Sequence, residues 1–543
     1  MEVISLYNGQ KSAIFQPAKD YSSASAIYMQ TRKPLFKGEK KNNLNIGVKG
    51  GSFSTINPSL LWEHRFNERI SSSISTEYMY TSGRYKFTYA KKDGYDTTAV
   101  RQNGDVRMLR LENAFFGKVP KGEWKAKAYL YNSERGYPGA AVREEPGKFR
   151  HQDRQWDTNL FVQGSFQNYF KPWYSLLANG KYAYDYLHYL SDPRLDVTTM
   201  YVDNHYRQQE IYASATHLFT IYPWWSMSLS NDFQWNTLRA DLIDFVYPTR
   251  NTILTSAATS FDFNRLMLQA SLLYTHVDDN TRTKGANAGT KNKYTPSVIA
   301  TWQPLTKLPL NVRAFYKKVF RMPTLNDLYY TFIGNKDLKP EYTTQYDVGI
   351  TFSHTWNNHW LKSLDLQIDG YYNEVDDKII AMPTSNQFRW TMINLGHVEI
   401  RGLDAAIRGE WGFGKVELST LFNYTYQKAQ DFTDPTSEWY GGQIPYIPWH
   451  GGSIILNGSY QTWSCNYSFI YTGERYEAVA NIPENYAQPW YTHDFSLSKT
   501  FQWGKTGIRV TTEINNIFNQ QYEVVQCYPM PGTSFKIKLN VML

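Results

Sequence analysis

Cysteine is almost absent: Cys465 and Cys527 are the only two among 543 residues. Neither stands in a CxxC or zinc-type spacing. The strand pattern described below puts Cys465 near a short turn and Cys527 in a long loop at the opposite rim, roughly a membrane's width apart and too far to form a disulfide. Long apolar runs are missing too. No stretch of 18 apolar residues occurs, which excludes a helical membrane protein. The first twenty residues hold Glu2, Lys11, Lys19 and Asp20 and no sustained apolar core, so no export signal is read there. No Pro/Gly/Ser-rich linker divides the 63.3 kDa chain. Its formal charge is +8, but the densest basic run, Lys37-Gly-Glu-Lys-Lys41, is short and contains an acid, and no nucleic-acid partner is expected. The 11 histidines are scattered, no metal set is read from them, and no convergent acid/base or nucleophilic group points to an enzyme.

Aromatic residues and alternating strands fill the space these absences leave. There are 43 Tyr, 29 Phe and 17 Trp. At the C-terminus Phe535, Ile537, Leu539, Val541 and Leu543 share one strand face, while Lys536, Lys538 and Asn540 share the other. Leu364, Leu366, Ile368, Gly370 and Tyr372 alternate with Asp365, Gln367 and Asp369, and Val416, Leu418, Phe422 and Tyr424 alternate with Glu417, Ser419 and Asn423. One apolar and one wet environment, repeated back to about residue 43, predict a closed transmembrane β-barrel in an outer membrane, in contact with its lipid. Short turns are predicted near 66–69, 118–122, 168–171, 222–224, 263–265, 304–309, 357–360, 412–415, 460–462 and 502–506. The loops between them are predicted at 81–105, 133–157, 186–207, 238–252, 277–293, 318–342, 373–397, 427–448, 473–489 and 519–533. With an opening hairpin at 43–66 the count is about 22 antiparallel strands, an even number as single-chain bacterial barrels require. Near Gly402-Leu403 the apolar phase changes, which predicts a bulge. Trp225, Trp302, Trp360, Trp411, Trp463 and Trp503 all fall by short turns and predict an aromatic girdle.

Residues 1–42 fit the barrel pattern poorly: they offer two short strands and a linker. Several motifs then become specific. Phe320-Arg-Met-Pro-Thr-Leu-Asn-Asp-Leu-Tyr329 is followed by Gly334-Asn-Lys-Asp-Leu-Lys-Pro-Glu341, by Asn394-Leu-Gly-His-Val-Glu-Ile-Arg-Gly-Leu-Asp404 and by Asn515-Asn-Ile-Phe-Asn-Gln-Gln-Tyr522. With these motifs the whole chain resembles a TonB-dependent outer-membrane receptor. The residues that carry the signature are Arg321, Pro323, Gly334, Asn335, Leu338, Pro340, Glu341, Gly396 and Gly402. The resemblance implies that 1–42 is the C-terminal remnant of a plug domain, that 43–543 is the barrel, and that the TonB box and most of the plug are missing. Ser23-Ala-Ser-Ala26 replaces the family's usual glycine pair, and Leu543 stands where its last residue is usually aromatic.

The same resemblance implies active import of a scarce, bulky nutrient, energised by TonB-ExbB-ExbD, with a surface-exposed substrate-binding lipoprotein as a further partner. Gln10-Lys-Ser-Ala-Ile-Phe-Gln-Pro-Ala18 and the aromatic loops look similar to cobalamin receptors of Bacteroidetes, so cobalamin or another corrinoid is expected as transported ligand and no cofactor is expected. A siderophore or iron chelate, a glycan, and an unplugged passive barrel are the alternatives. Expected substrate contacts are Tyr329, Tyr330, Trp439, Tyr440, Tyr446, Arg475, Tyr476, Tyr486 and Trp490, all on or beside outer loops. Asp93 with Asp96, and Asp278 with Asp279, are weighed as Ca²⁺ ligands in those loops, although neither pair brings enough oxygens alone.

Overall fold

The computed structural model describes residues 3–9, 11–90, 96–141, 152–192, 201–283, 288–330, 334–357, 360–383 and 390–543. Among them, twenty-two long antiparallel strands close into one barrel, with a two-residue stub, Gly442–Gln443, added beside the end of Val416–Asp431. The first barrel strand, Asn42–Gly51, pairs with both Thr55–Arg65 and the last strand, Ser534–Met542. The last strand also pairs with Thr506–Asn515, so closure needs every strand between. The Leu44 and Leu543 backbones exchange both hydrogen bonds at the seam (2.8 and 3.2 Å).

The alternation sorts side chains as the sequence predicts. Phe535, Ile537, Leu539 and Leu543 lie on the exposed outer face of the closing strand, and Val162, Leu272, Val298, Val348 and Phe422 continue that apolar face around the barrel. Such a face is stable only against lipid, and a closed ladder leaves no backbone edge inside it. The protein is a multi-pass outer-membrane barrel. At the short-turn rim Trp360 stacks on Trp411 at 5.2 Å, Trp225 stacks on Trp224 and Phe261, and Trp302, Trp463 and Trp503 are exposed. This is the aromatic girdle of a membrane interface.

Nine of the ten predicted short turns are present among the described residues, and the tenth, at 357–360, includes residues outside them. The 168–171 turn moves to 172–173, because an irregularity between Asn168 and Lys171 lengthens strand Asp153–Lys171. Two expectations need correction. Leu361–Pro383 and Trp390–Phe413 run far into the predicted 373–397 loop, so this hairpin stands well above the bilayer. Polar composition marked it as a loop, yet polar residues suit a strand that has water outside. The bulge at Gly402-Leu403 is absent: register runs unbroken past it on both neighbours. Val398 and Ile400 instead face inward, in a cluster with Val375, Leu395, Ala429 and Ile444, and Leu403 and Ile407 face outward. The phase change records a change of surroundings, from packed mouth to lipid, along one regular strand.

A separate antiparallel hairpin, Val3–Asn8 with Ser25–Gln30, matches the two short strands predicted before the barrel. It pairs with no barrel strand among the described residues.

Candidate functional site: the lumen tether and the outer mouth

The 3–30 segment is held to the inner wall by side chains that reach its backbone. Asp232 accepts from the Ala18 N–H (3.1 Å) and the Lys19 N–H (2.8 Å), and Tyr212 donates its hydroxyl to the same carboxylate (2.8 Å). Thr216 and Ser230 both donate to the Gln16 carbonyl. Lys317, only 1% exposed, donates its ammonium to the carbonyls of Gly9 (3.2 Å) and Ser23 (2.7 Å). Ile14, Ala18 and Tyr21 pack on Leu254, Ala258 and Leu273. Gly9 has φ +76°, and a Cβ there would lie 2.5 Å from Phe315 Cζ. Burial raises the Asp20 carboxyl above its usual range, against a hydrogen bond from Tyr28.

The outer mouth is built around the segment that carries the sequence signature. Thr324 caps the short helix Leu325–Tyr329: its hydroxyl accepts from the Asp327 N–H (3.1 Å), and Asp327 accepts from the Thr324 N–H (2.8 Å). Arg321 lies 3.6 Å from Asp327 and 3.5 Å from Glu341. Pro323 is fully buried, and its carbonyl accepts from Arg250 (2.6 Å), which also grips Asp279 with two nitrogens. The Gly334 N–H donates to the Tyr330 carbonyl, Asn335 reaches the Met392 carbonyl, and Leu338 is buried. Pro340 precedes Glu341, whose carboxylate accepts from the Ile379 N–H. Gly396 approaches Thr433, and Gly402 leaves room for the Tyr371 ring.

Tyr329 and Tyr330 come together at a cavity of about 520 Å³, with Asp203, Asp241, Asp244 and Lys336 also on its wall. Tyr330 stacks on Tyr206 at 4.2 Å, and burial raises its phenol pKa. The other predicted residues form a second group. Arg475 is 3% exposed and donates to the carbonyls of Gly473, Gln488, Glu523 and Val524, which ties three loop segments together. Tyr476 meets Tyr486 edge-on, and Tyr486 donates to Glu474. Trp490 stacks on Tyr522. Tyr446 packs near Trp390, and burial pushes its phenol up to about 12. Tyr440 meets Phe432 edge-on and is exposed, and Trp439 is half-buried next to it.

Asp278 and Asp279 do not form a Ca²⁺ pair. They are neighbours on one strand and face opposite sides: Asp279 is taken by Arg250, while Asp278 accepts from Asn280 and Thr290. Asp93 lies outside the described residues. Cys465 and Cys527 are both free. The internal ties Asp232 and Lys317 are absent from the sequence-based expectation. Alternation gives their inward face but not the distant segment that meets it.

The model of the family described as TonB dependent receptor-like, beta-barrel matches residues 42–517. The chain belongs to this family. The protein is therefore a receptor-type barrel and not an enzyme. A stretch of 244 residues is 28% identical to the vitamin B12 transporter BtuB of Photobacterium profundum, covering 43% of this chain and 36% of that protein. A stretch of 157 residues is 26% identical to the probable hemoglobin and hemoglobin-haptoglobin-binding protein 4 of Haemophilus influenzae, covering 25% of this chain and 15% of that protein. This chain thus spans little more than a third of the first relative. The fold is similar to the FrpB iron transporter from Neisseria meningitidis (F5-1 variant), with TM-score 0.76 and 12% identity over 99% of this chain and 88% of that one. It is also similar to the copper transporter OprC, with TM-score 0.73 and 14% identity over 99% and 85%.

Proposed function

We propose that this chain supplies the barrel and the end of the plug, residues 43–543 and 1–42, of an outer-membrane receptor that imports a bulky metal complex with energy from TonB-ExbB-ExbD. The observation that carries this reading is how the 3–30 segment is attached. It meets the wall through side chains and a small apolar contact, and shares no ladder hydrogen bond with a barrel strand among the described residues. It can therefore be drawn off the wall without unzipping the barrel, which a pulled plug requires.

The names of the relatives span vitamin B12, hemoglobin, iron and copper, and a metal complex is their common chemistry. An iron chelate is at least as well supported by those names as a corrinoid. The charge of the mouth sorts among complexes: three aspartates face one lysine across the cavity, which repels a polyanionic ferric catecholate and suits a neutral or cationic complex. Tyr329, Tyr330, Trp439, Tyr440, Tyr446, Tyr476, Tyr486 and Trp490 are the proposed contacts or supports of contacts, with Arg475 holding their loops. A surface lipoprotein that caps these loops belongs to the same proposal.

Binding to the folded chain tests it, with cyanocobalamin, haemin, a neutral ferric siderophore, a ferric catecholate and a maltooligosaccharide as separate probes. Saturable binding of one neutral or cationic metal complex, weakened by Tyr330→Ala, is expected. Binding of the glycan alone, or of none of the complexes, overturns the substrate class. In the receptor that carries its whole plug, conductance in planar bilayers that stays open whatever ligand is added overturns the gated reading in favour of a passive channel.

A further inference from the structure

Above the lipid-facing band, three neighbouring strands carry a ladder of rings on their outer faces. Trp156 is the register partner of His188, and His188 of His205. Ring centroids are 4.6 Å apart in the first pair and 4.0 Å in the second, with interplanar angles of 17° and 8°. Inward residues on the same strands, such as Leu187 and Tyr206, pack inside the mouth, so the histidines point outward. From Tyr222 at the short-turn rim to His205 the strand climbs roughly 40 Å, at ~3.3 Å per residue and a tilt of ~40°, well past an apolar band ~25 Å tall. The ladder stands in water.

Parallel stacking sets the two imidazoles side by side with Asp203 at their edge. His188 Nε2 lies 2.7 Å from Asp203 Oδ1, His205 Nε2 lies 3.5 Å from the same oxygen, and Asp241 Oδ2 lies 3.8 Å from His205 Nε2. One ligand atom from each of His188, Asp203 and His205 falls within a 4.8 Å group. The other nitrogen of His205, Nδ1, sits 2.8 Å from the Tyr186 hydroxyl. A proton held on Nδ1 by that hydroxyl leaves the Nε2 lone pair facing Asp203, which is how outer-shell partners orient an imidazole ligand. A single ion pair accounts for His188 and Asp203. It does not account for a second imidazole turned to the same carboxylate; Asp241, whose Oδ1 accepts from the His205 backbone N–H at 2.7 Å, keeps its other oxygen toward the imidazole.

We propose that His188, His205 and Asp203, with Asp241 in reach as a fourth ligand, bind one borderline divalent metal ion, zinc being the ion that two imidazole nitrogens and one or two carboxylates suit best. Tetrahedral zinc holds its ligand atoms roughly 3.3 Å apart, so small side-chain rotations close the group around the ion. The ion would clip strand Tyr174–Ser191 to Val202–Tyr222 and, through Asp241, to the segment that walls the mouth cavity, since Asp203 and Asp241 both line it. The two imidazoles face the outside of the barrel while Asp203 and Asp241 also border the mouth cavity, so metal binding is read on its own, without any cargo present.

The test uses the full chain folded in detergent without a histidine tag. Calorimetric titration with zinc chloride should show one saturable site, and Cu²⁺ loaded there should give an electron paramagnetic resonance spectrum with hyperfine coupling to two imidazole nitrogens. His188→Ala and His205→Ala should each weaken zinc on the order of 100-fold, and Tyr186→Phe about tenfold. His276→Ala, an outward histidine bonded to Asn292, should leave binding unchanged. Heat-modifiable gel mobility checks that each variant still forms the barrel. No saturable binding to the folded wild-type chain, or binding kept in the double variant His188→Ala/His205→Ala, overturns the site.

Discussion

A buried ammonium such as Lys317 contributes only through the acceptors it finds, and here both belong to a segment some three hundred residues away. Lys317→Met removes both hydrogen bonds, each contributing roughly 1 kcal/mol. The expected outcome is a barrel that folds as before while amides in 3–30 exchange faster with deuterium, read by mass spectrometry. Gly9→Ala should give the same pattern by another route, because its methyl meets the Phe315 ring and its φ of +76° disfavours any side chain. Arg475 poses the opposite case. Burial pulls its guanidinium below the usual range, and four carbonyls depend on it. Sequence reading placed Arg475, Tyr329 and Tyr330 on or beside outer loops because loop position and aromatic content are written locally. It missed Lys317 and Asp232 because nothing local distinguishes them from other lumen-facing polar residues. The His188–His205 pair was within reach: the two residues sit symmetrically about the centre of the predicted loop 186–207, and counting outward from it pairs them.

At the scale of elements, the helix Leu325–Tyr329 is too short to hold itself together, and its reciprocal cap supplies much of its stability. Thr324→Ala should cost about 1 kcal/mol locally, seen as faster exchange at the Asp327 amide with little change in global unfolding. Arg250→Met reaches further, because it leaves the Asp279 carboxylate buried and unpaired and releases the Pro323 carbonyl. A loss of about 3–5 kcal/mol is expected, measurable as a lower urea midpoint of unfolding. The turns at the girdle rim were legible because they are brief and flanked by aromatics. The outer ends of strands were not, since a strand that rises out of the membrane loses its apolar face without losing its ladder, as Leu361–Pro383 and Trp390–Phe413 do. The same loss of contrast made a regular stretch at Gly402 look like a bulge.

For the whole molecule, two solvents set the rules. Val348→Lys on the lipid side should destabilise the barrel by about 2–4 kcal/mol if it lies near the bilayer midplane, whereas Asn423→Lys on the lumen side should cost far less. Refolding midpoints in lipid vesicles compare the two. The fold as a whole was legible because every strand repeats this one contrast, and the strand count followed from the turns alone. The seam between Asn42–Gly51 and Ser534–Met542 adds a consequence in time. Neither strand gains its second neighbour until the chain between them has been delivered and ordered. Loop-closure entropy grows only with the logarithm of length, so the thermodynamic cost of that wait is modest. The hazard is kinetic: two open strand edges persist to the end of assembly, each a template for a wrong partner. Ser534–Met542 follows every other barrel strand in the chain, so it is the last of them to be synthesised, and the seam cannot close before it exists. A chain cut anywhere before it is left with both edges unsealed.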